Sequence, residues 1–253
     1  MLLYTKKHPK YDFLILLAIL LVSLWQLVLF KATMKWDLMD LYLPWKHFVT
    51  EALKNGTLPL WNPFMNGGFS QMGDPGTWYP VSWAIGMLHT YNVTSVHFEY
   101  LLHLYLAGVG FYLFAKQMGF SRGTALITGT SYMLSGFFIG NAQHLGWLVG
   151  AAWFPFAVYY ITQLSKIPNF ATAIKLGIVM FFILSGAYPG MFIASAYIML
   201  AYFLILTFQL YKPDKKLFFN WLKYSSVAAI VFFITSLVRS EERRVGKECR
   251  SRW

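Results

Sequence analysis

The stretch FLILLAILLVSLWQLVLF, residues 13–30, decides the fold. A helix needs roughly 20 apolar residues to cross the hydrocarbon core of a bilayer, and this run comes close without a single charge. Lys6, Lys7 and Lys10 stand immediately before it. By the positive-inside rule the helix starts on the cytoplasmic side. A cleaved signal peptide is the alternative reading, but the run is long for one, and KATMKWD (31–37) offers no small-x-small cleavage site. The expectation is an uncleaved first transmembrane helix.

The rest of the chain agrees with that start. Of 253 residues, 57% are hydrophobic, 19% aromatic and only 12% charged, with mean hydropathy +0.49. Soluble domains carry about 25% charged residues. The composition excludes a disordered chain and argues against a soluble enzyme and a nucleic-acid binder, despite the net charge of +11. It points to an all-α, polytopic membrane helix bundle. Further apolar runs lie at 96–115, 123–140, 147–164, 171–184 and 191–208, and another opens near Ser225 and stops at Val238, about seven spans in all, the last one truncated. The links 116–122, 165–170 and 209–224 carry Lys and Arg, whereas 141–146 and 185–190 carry none. That asymmetry places the amino terminus in the cytoplasm, and the surplus of positive charge suits anionic lipid.

Residues 31–95 form the unusual piece, a long first extracytoplasmic loop. It holds five of the ten Trp, five of the ten Pro and three of the five Asp. Loops this long are uncommon and usually functional. Residues 40–53 are expected to form a helix lying on the membrane surface, with Leu41, Trp45, Phe48 and Ala52 on one face. Residues 58–80 read as an ordered, turn-rich platform, and 79–89 as a second interfacial helix.

Ionisable groups are few enough to be weighed singly. Asp37 and Asp40, at i and i+3 beyond the first span, share one face of a helix that continues there. A carboxylate pair at a membrane surface can act as a general base or hold a divalent cation such as Mg or Mn; charges that merely solvate a helix end beside Lys31 and Lys35 are the plainer reading. Asp74 in GDPG and Asn62 in WNP suit turns. Glu99 and His103 lie four residues apart inside the second span, where they can pair. Gln143 and His144 sit in the short link NAQHLG on the same side as Asp37. There is no P-loop, dinucleotide fingerprint, HExxH or nucleophile elbow.

The last fifteen residues, RSEERRVGKECRSRW (239–253), break the pattern. They carry five of the six Arg and the only Cys, and they interrupt the apolar run VAAIVFFITSLV. The segment resembles the in-frame translation of a sequencing-library adapter, a non-native tail to be excluded from fold reasoning; a short basic cytoplasmic tail is the alternative. Without its six basic and three acidic residues the net charge is +8 and no cysteine remains. Residues 1–238 are then expected to be the partial amino-terminal transmembrane domain of a longer protein, inactive as a fragment.

Five blocks carry a family resemblance: WDLMDLYLPWKHF (36–48), GTLPLWNPFMNGGF (56–69), GDPGTWYPVSW (73–83), SGFFIGNAQHLGW (135–147) with AAWFPF (151–156), and SGAYPGMF (185–192). In that order they resemble the YfhO family of bacterial multi-pass membrane proteins, which is similar to the GT-C glycosyltransferases. Asp37, Asp40, Tyr42 and Pro44 match the family pattern, while Leu41 stands where Gln is usual. The resemblance implies a bacterial inner-membrane enzyme that moves a sugar from a polyprenyl-phosphate carrier to a cell-envelope glycopolymer, lipid or protein. It implies that Asp37, then Asp40, is the catalytic carboxylate, and that Lys46, Asn62, Asp74, Gln143 and His144 contact substrate. Two other classes remain open: a transporter or flippase of an envelope lipid precursor, which would depend on charges within the bundle such as Glu99 and His103, and a non-catalytic membrane scaffold.

Overall fold

The computed structural model describes residues 9–65, 67–73, 76–211 and 214–240. Helix dominates. Among the described residues, four helices are long and apolar enough to cross a membrane: α5 (Val93–Gln117), α8 (Leu145–Lys166), α10 (Pro189–Tyr211) and α11 (Lys215–Ser240, apolar through Leu237). The other apolar runs give shorter pieces. The run at 13–30 becomes α1 (Pro9–Ser23) and α2 (Trp25–Val28), parted where Leu24 leaves helical geometry. The run at 123–140 becomes α6 (Arg122–Met133) and α7 (Gly136–Gly140), parted at Ser135, whose backbone is extended. α9 (Phe170–Gly186) has 17 residues. Among the described residues, four helices of spanning length thus stand where about seven spans were expected. Hydropathy averages over a window and is blind to a single residue that leaves helical φ/ψ.

Helix starts follow local chemistry. The Ser121 side chain accepts from Thr124 N ahead of α6, Asn169 from Thr172 N ahead of α9, and Asn92 forms a capping box with Ser95 ahead of α5. α11 begins ten residues before the apolar run at Ser225, because Asp214 Oδ1 accepts from Leu217 N and opens the helix there. The basic residues Lys215, Lys216 and Lys223 therefore lie on helix, not on the expected link.

α5 is the central helix, packed on α6, α8 and α1; α9 lies between α8 and α11, and α10 runs along α8 and α11. Close approach depends on glycine. A Cβ on Gly129 of α6 would stand 2.7 Å from the backbone oxygen of Gly108 in α5, so only small residues let these helices meet. At one end of the bundle, buried Asp12 of α1 takes a hydrogen bond from Tyr112 of α5 and a 2.6 Å contact from the Arg122 guanidinium of α6. Lys166 donates to Gln117 O at the same end. The long loop caps the opposite end.

That loop is folded. A π-helical turn, Leu38–Tyr42, leads directly into α3 (Leu43–Lys54), whose second residue is Pro44. β1 (Trp61–Asn62) pairs antiparallel with β2 (Phe69–Ser70), in register Trp61↔Ser70 and Asn62↔Phe69. Gly67 and Gly68 turn the chain back with φ +72° and +101°. A 3₁₀ turn (Gln71–Gly73) and α4 (Pro80–Leu88) follow. α3 packs on α4, and α4 on α5. The expected apolar face of α3, with Leu41, Trp45, Phe48 and Ala52, is only half-buried; the buried face holds Lys46, Val49 and Thr50. The helix is oriented by what Lys46 meets inside the bundle, which an amphipathic pattern does not record.

Candidate functional site

Two groups of polar side chains gather where the loop meets the helix ends. The outer one is built on strained backbone. Trp36 has φ +61°, a left-handed conformation that a bulky residue rarely adopts. Its carbonyl accepts from Met39 N and Asp40 N (2.8 and 3.0 Å), opening the π turn at Asp37. π turns of this kind often occur at functional sites. The turn aims Asp37 at the start of α8. Asp37 Oδ2 lies 3.3 Å from His144 Nδ1, with the Asp37 side chain 51% exposed and that of His144 27%.

The imidazole is held from two more sides. Its ring lies 4.6 Å from that of Trp147, tilted by 30°, and Gln143 Nε2 stands 3.2 Å from His144 Nε2. Asp37 Oδ2 faces Nδ1 at 3.3 Å and Gln143 Nε2 faces Nε2 at 3.2 Å, so each ring nitrogen has a polar neighbour. Tyr42, at the end of the π turn, accepts from Gly146 N at 3.3 Å, and Tyr188 N donates to Gly146 O at 3.0 Å. The turn, the first residues of α8 and the α9–α10 link are thereby joined at one point. Asp40 is exposed on the same turn. A π turn holds more residues per turn than an α-helix, so the three-residue spacing does not stack Asp40 on Asp37.

The inner group is buried. Lys46 Nζ donates to Glu99 Oε1 at 2.6 Å and to Ser82 Oγ; Ser82 donates to the same carboxylate oxygen at 2.9 Å, and Tyr91 donates to Oε2 at 2.6 Å. Lys46 is 6% exposed and Glu99 0%. Glu99 and His103 do not pair through their side chains. His103 Nδ1 donates to the Glu99 carbonyl at 2.7 Å, so Nε2 is left to accept from the Tyr79 hydroxyl at 2.6 Å. Trp153 Nε1 donates to Tyr79 at 2.7 Å. Burial, and then the nearby Glu99 carboxylate, push Tyr91 well above the ordinary phenol range; burial does the same for Tyr79 against the bond from Trp153. Both phenols remain protonated donors. This network fastens α3, α4 and the 89–92 link to α5 and α8.

The residues singled out from the sequence thus divide. Asp37, Gln143 and His144 meet at the outer group, with Asp40 beside them. Lys46 lies in the inner group, committed to Glu99. Asn62 is buried in the hairpin, donating to Gln71 Oε1 at 3.0 Å and accepting from Phe64 N at 3.0 Å. Asp74 lies outside the described residues, as does the tail beyond Ser240. Tyr79, Ser82, Tyr91 and Trp153 carried no sequence signal of their own. The structure brings them in as the partners that the buried charges of Lys46 and Glu99 and the buried His103 require.

Among the described residues, no three or more His, Cys, Asp or Glu side chains gather so as to hold a metal ion. The outer group offers a half-exposed carboxylate oriented by a histidine, arranged to accept a proton from a bound hydroxyl. No family model, curated protein or solved structure matches this chain.

Proposed function

We propose that the chain belongs to a membrane-embedded sugar transferase that uses a polyprenyl-phosphate-linked sugar as donor and an envelope glycopolymer, lipid or protein as acceptor. The observation that carries this reading is the contact between Asp37 and His144, half-exposed at the helix ends and set on the strained π turn. In the proposed step Asp37 takes the proton from an acceptor hydroxyl. The acceptor oxygen attacks the anomeric carbon, and the bond from that carbon to the phosphate oxygen breaks, leaving the lipid phosphate. His144 orients the carboxylate and stabilises its charge, and Gln143 keeps the imidazole in place.

The likeness of the blocks around Asp37, Pro63, His144 and Pro189 to the YfhO family supports the same reading. In the proposed topology the end bearing Arg122 and Lys166 faces the cytoplasm of a bacterial inner membrane, and the loop end faces out. The shorter pieces α1 with α2, α6 with α7, and α9 complete about seven passages. The test is transfer of a labelled sugar in membranes carrying the complete gene product. Asp37→Asn is expected to abolish transfer with insertion and abundance unchanged; undiminished product overturns the assignment.

One observation favours a second reading, a transporter of a lipid precursor. The Lys46–Glu99 pair and His103 lie within the bundle, where ionisable groups are costly and commonly functional. That reading expects Glu99→Gln to stop movement of a labelled lipid across vesicles, with Asp37→Asn neutral.

A further inference from the structure

Between the two polar groups lies a small cavity walled by Tyr42, Trp45, Lys46, Val49, Gln71, Gly76 and Thr77. Its volume is about 10 Å³, the room one water-sized oxygen needs and far too little for a sugar ring. Nearly every polar group on its wall has a protein partner. Tyr42 accepts from Gly146 N, Gln71 accepts from Asn62 and donates to Thr77, Thr77 donates to Gln71 O, and Lys46 donates to Glu99 and Ser82. Trp45 is the exception. Its Nε1–H is fully buried with no hydrogen-bond partner among the described residues. Buried indole N–H groups are nearly always bonded, and leaving one unpaired costs its full desolvation. An indole nitrogen can only donate, so what it lacks is an acceptor. The Lys46 ammonium stands on the same wall with its charge already paired to Glu99, so the indole N–H is the donor the wall has left to offer.

We propose that this cavity is a binding site for a single acceptor oxygen, held by the Trp45 indole N–H. The shared chemistry is a compact oxygen lone pair, supplied by a bound water or by the hydroxyl or phosphoryl oxygen of a ligand. The site does not depend on the sugar-transfer reading, and it stands or falls with Trp45 alone.

The test is indole ¹⁵N–¹H NMR on the full chain in micelles, with Trp45 identified by the signal that Trp45→Phe removes while the other indole signals stay in place. Cross-relaxation from a long-lived water to the Trp45 Nε1–H supports a water site. A saturable downfield shift of that signal on titrating inorganic phosphate or glycerol supports a ligand-oxygen site of the matching kind. Val49→Ile, which adds a methylene to the wall, is expected to remove either response with the remaining indole signals intact, and it supplies the comparison if Trp45→Phe disturbs the fold. A Trp45 signal with neither water contact nor a shift from either probe overturns the site.

Discussion

Removing Lys46 tests whether the loop is anchored to the bundle by charge. In Lys46→Met the Glu99 carboxylate stays 0% exposed and keeps only the bonds from Ser82 and Tyr91. Breaking a buried ion pair by deleting one partner costs about 3–5 kcal/mol, because an uncompensated charge is left behind. Methionine nearly fills the space of the lysine stem, so little of that loss comes from packing. At about 2–4 °C per kcal/mol for a chain of this size, the melting temperature falls by roughly 6–20 °C. Glu99→Gln alone strands the Lys46 ammonium and carries a similar loss. The double variant Lys46→Met with Glu99→Gln removes both charges, and replacing a whole buried pair is often neutral. Its stability is therefore expected to lie well above the sum of the two losses, with a coupling of at least about 2 kcal/mol, within the range for residues in direct contact. The assay is thermal unfolding in detergent followed by circular dichroism, with all four proteins at one lipid and detergent composition. A Lys46→Met loss below about 1 kcal/mol, the worth of an exposed pair, refutes the reasoning. So does strict additivity.

Other perturbations probe other parts of the molecule. Tyr79→Phe deprives Trp153 Nε1 and His103 Nε2 of their shared partner, and chemical or thermal unfolding is expected to report a loss of about 1–3 kcal/mol. Gly129→Ala places a methyl 2.7 Å from the Gly108 oxygen, forces α5 and α6 apart, and is expected to cost about 1–3 kcal/mol by the same measurement. His144→Ala is expected to lower sugar transfer less than Asp37→Asn does, since the carboxylate remains but loses its orientation; equal loss in both variants would make the histidine the proton acceptor instead. Tyr79 and Tyr91 hold their protons well above the ordinary value of 10.0, whereas the unfolded chain releases them near it. The folded state then binds more protons than the unfolded state, so stability is fully present below that pH and falls as pH rises beyond it. Unfolding followed across alkaline pH should show the decline, and Tyr91→Phe should flatten part of it.

The apolar runs at 96–115, 147–164 and 191–208 sit within α5, α8 and α10, and the structure adds caps at Asn92, Ser121 and Asn169 that the hydropathy pattern does not read. These features are local: an uninterrupted apolar stretch must satisfy its own backbone inside lipid, and a cap needs only the next few residues. The loop pattern sets Asp37 and His144 on the same side of the chain's expected topology, and the family resemblance implies one site for them; the structure brings the two side chains to 3.3 Å. The breaks at Leu24 and Ser135 and the early start of α11 escaped a pattern that weighs hydropathy and not backbone angles. Lys46 escaped for a different reason. The family resemblance assigns it to substrate contact, and its partner Glu99 reads from the sequence as half of a pair with His103.

Composition and periodicity, then, decided by themselves that this chain is helical and suited to a membrane, since lipid imposes that choice residue by residue. Which side chains meet was decided only by tertiary packing. The face of α3 that turns inward, the joining of Lys46 to Glu99 and of Tyr79 to His103 and Trp153, and the oxygen-sized cavity beside Trp45 all depend on how separate helices register against one another. That register is set by close contacts such as Gly108 against Gly129, summed over the whole bundle, and no short stretch of sequence contains it.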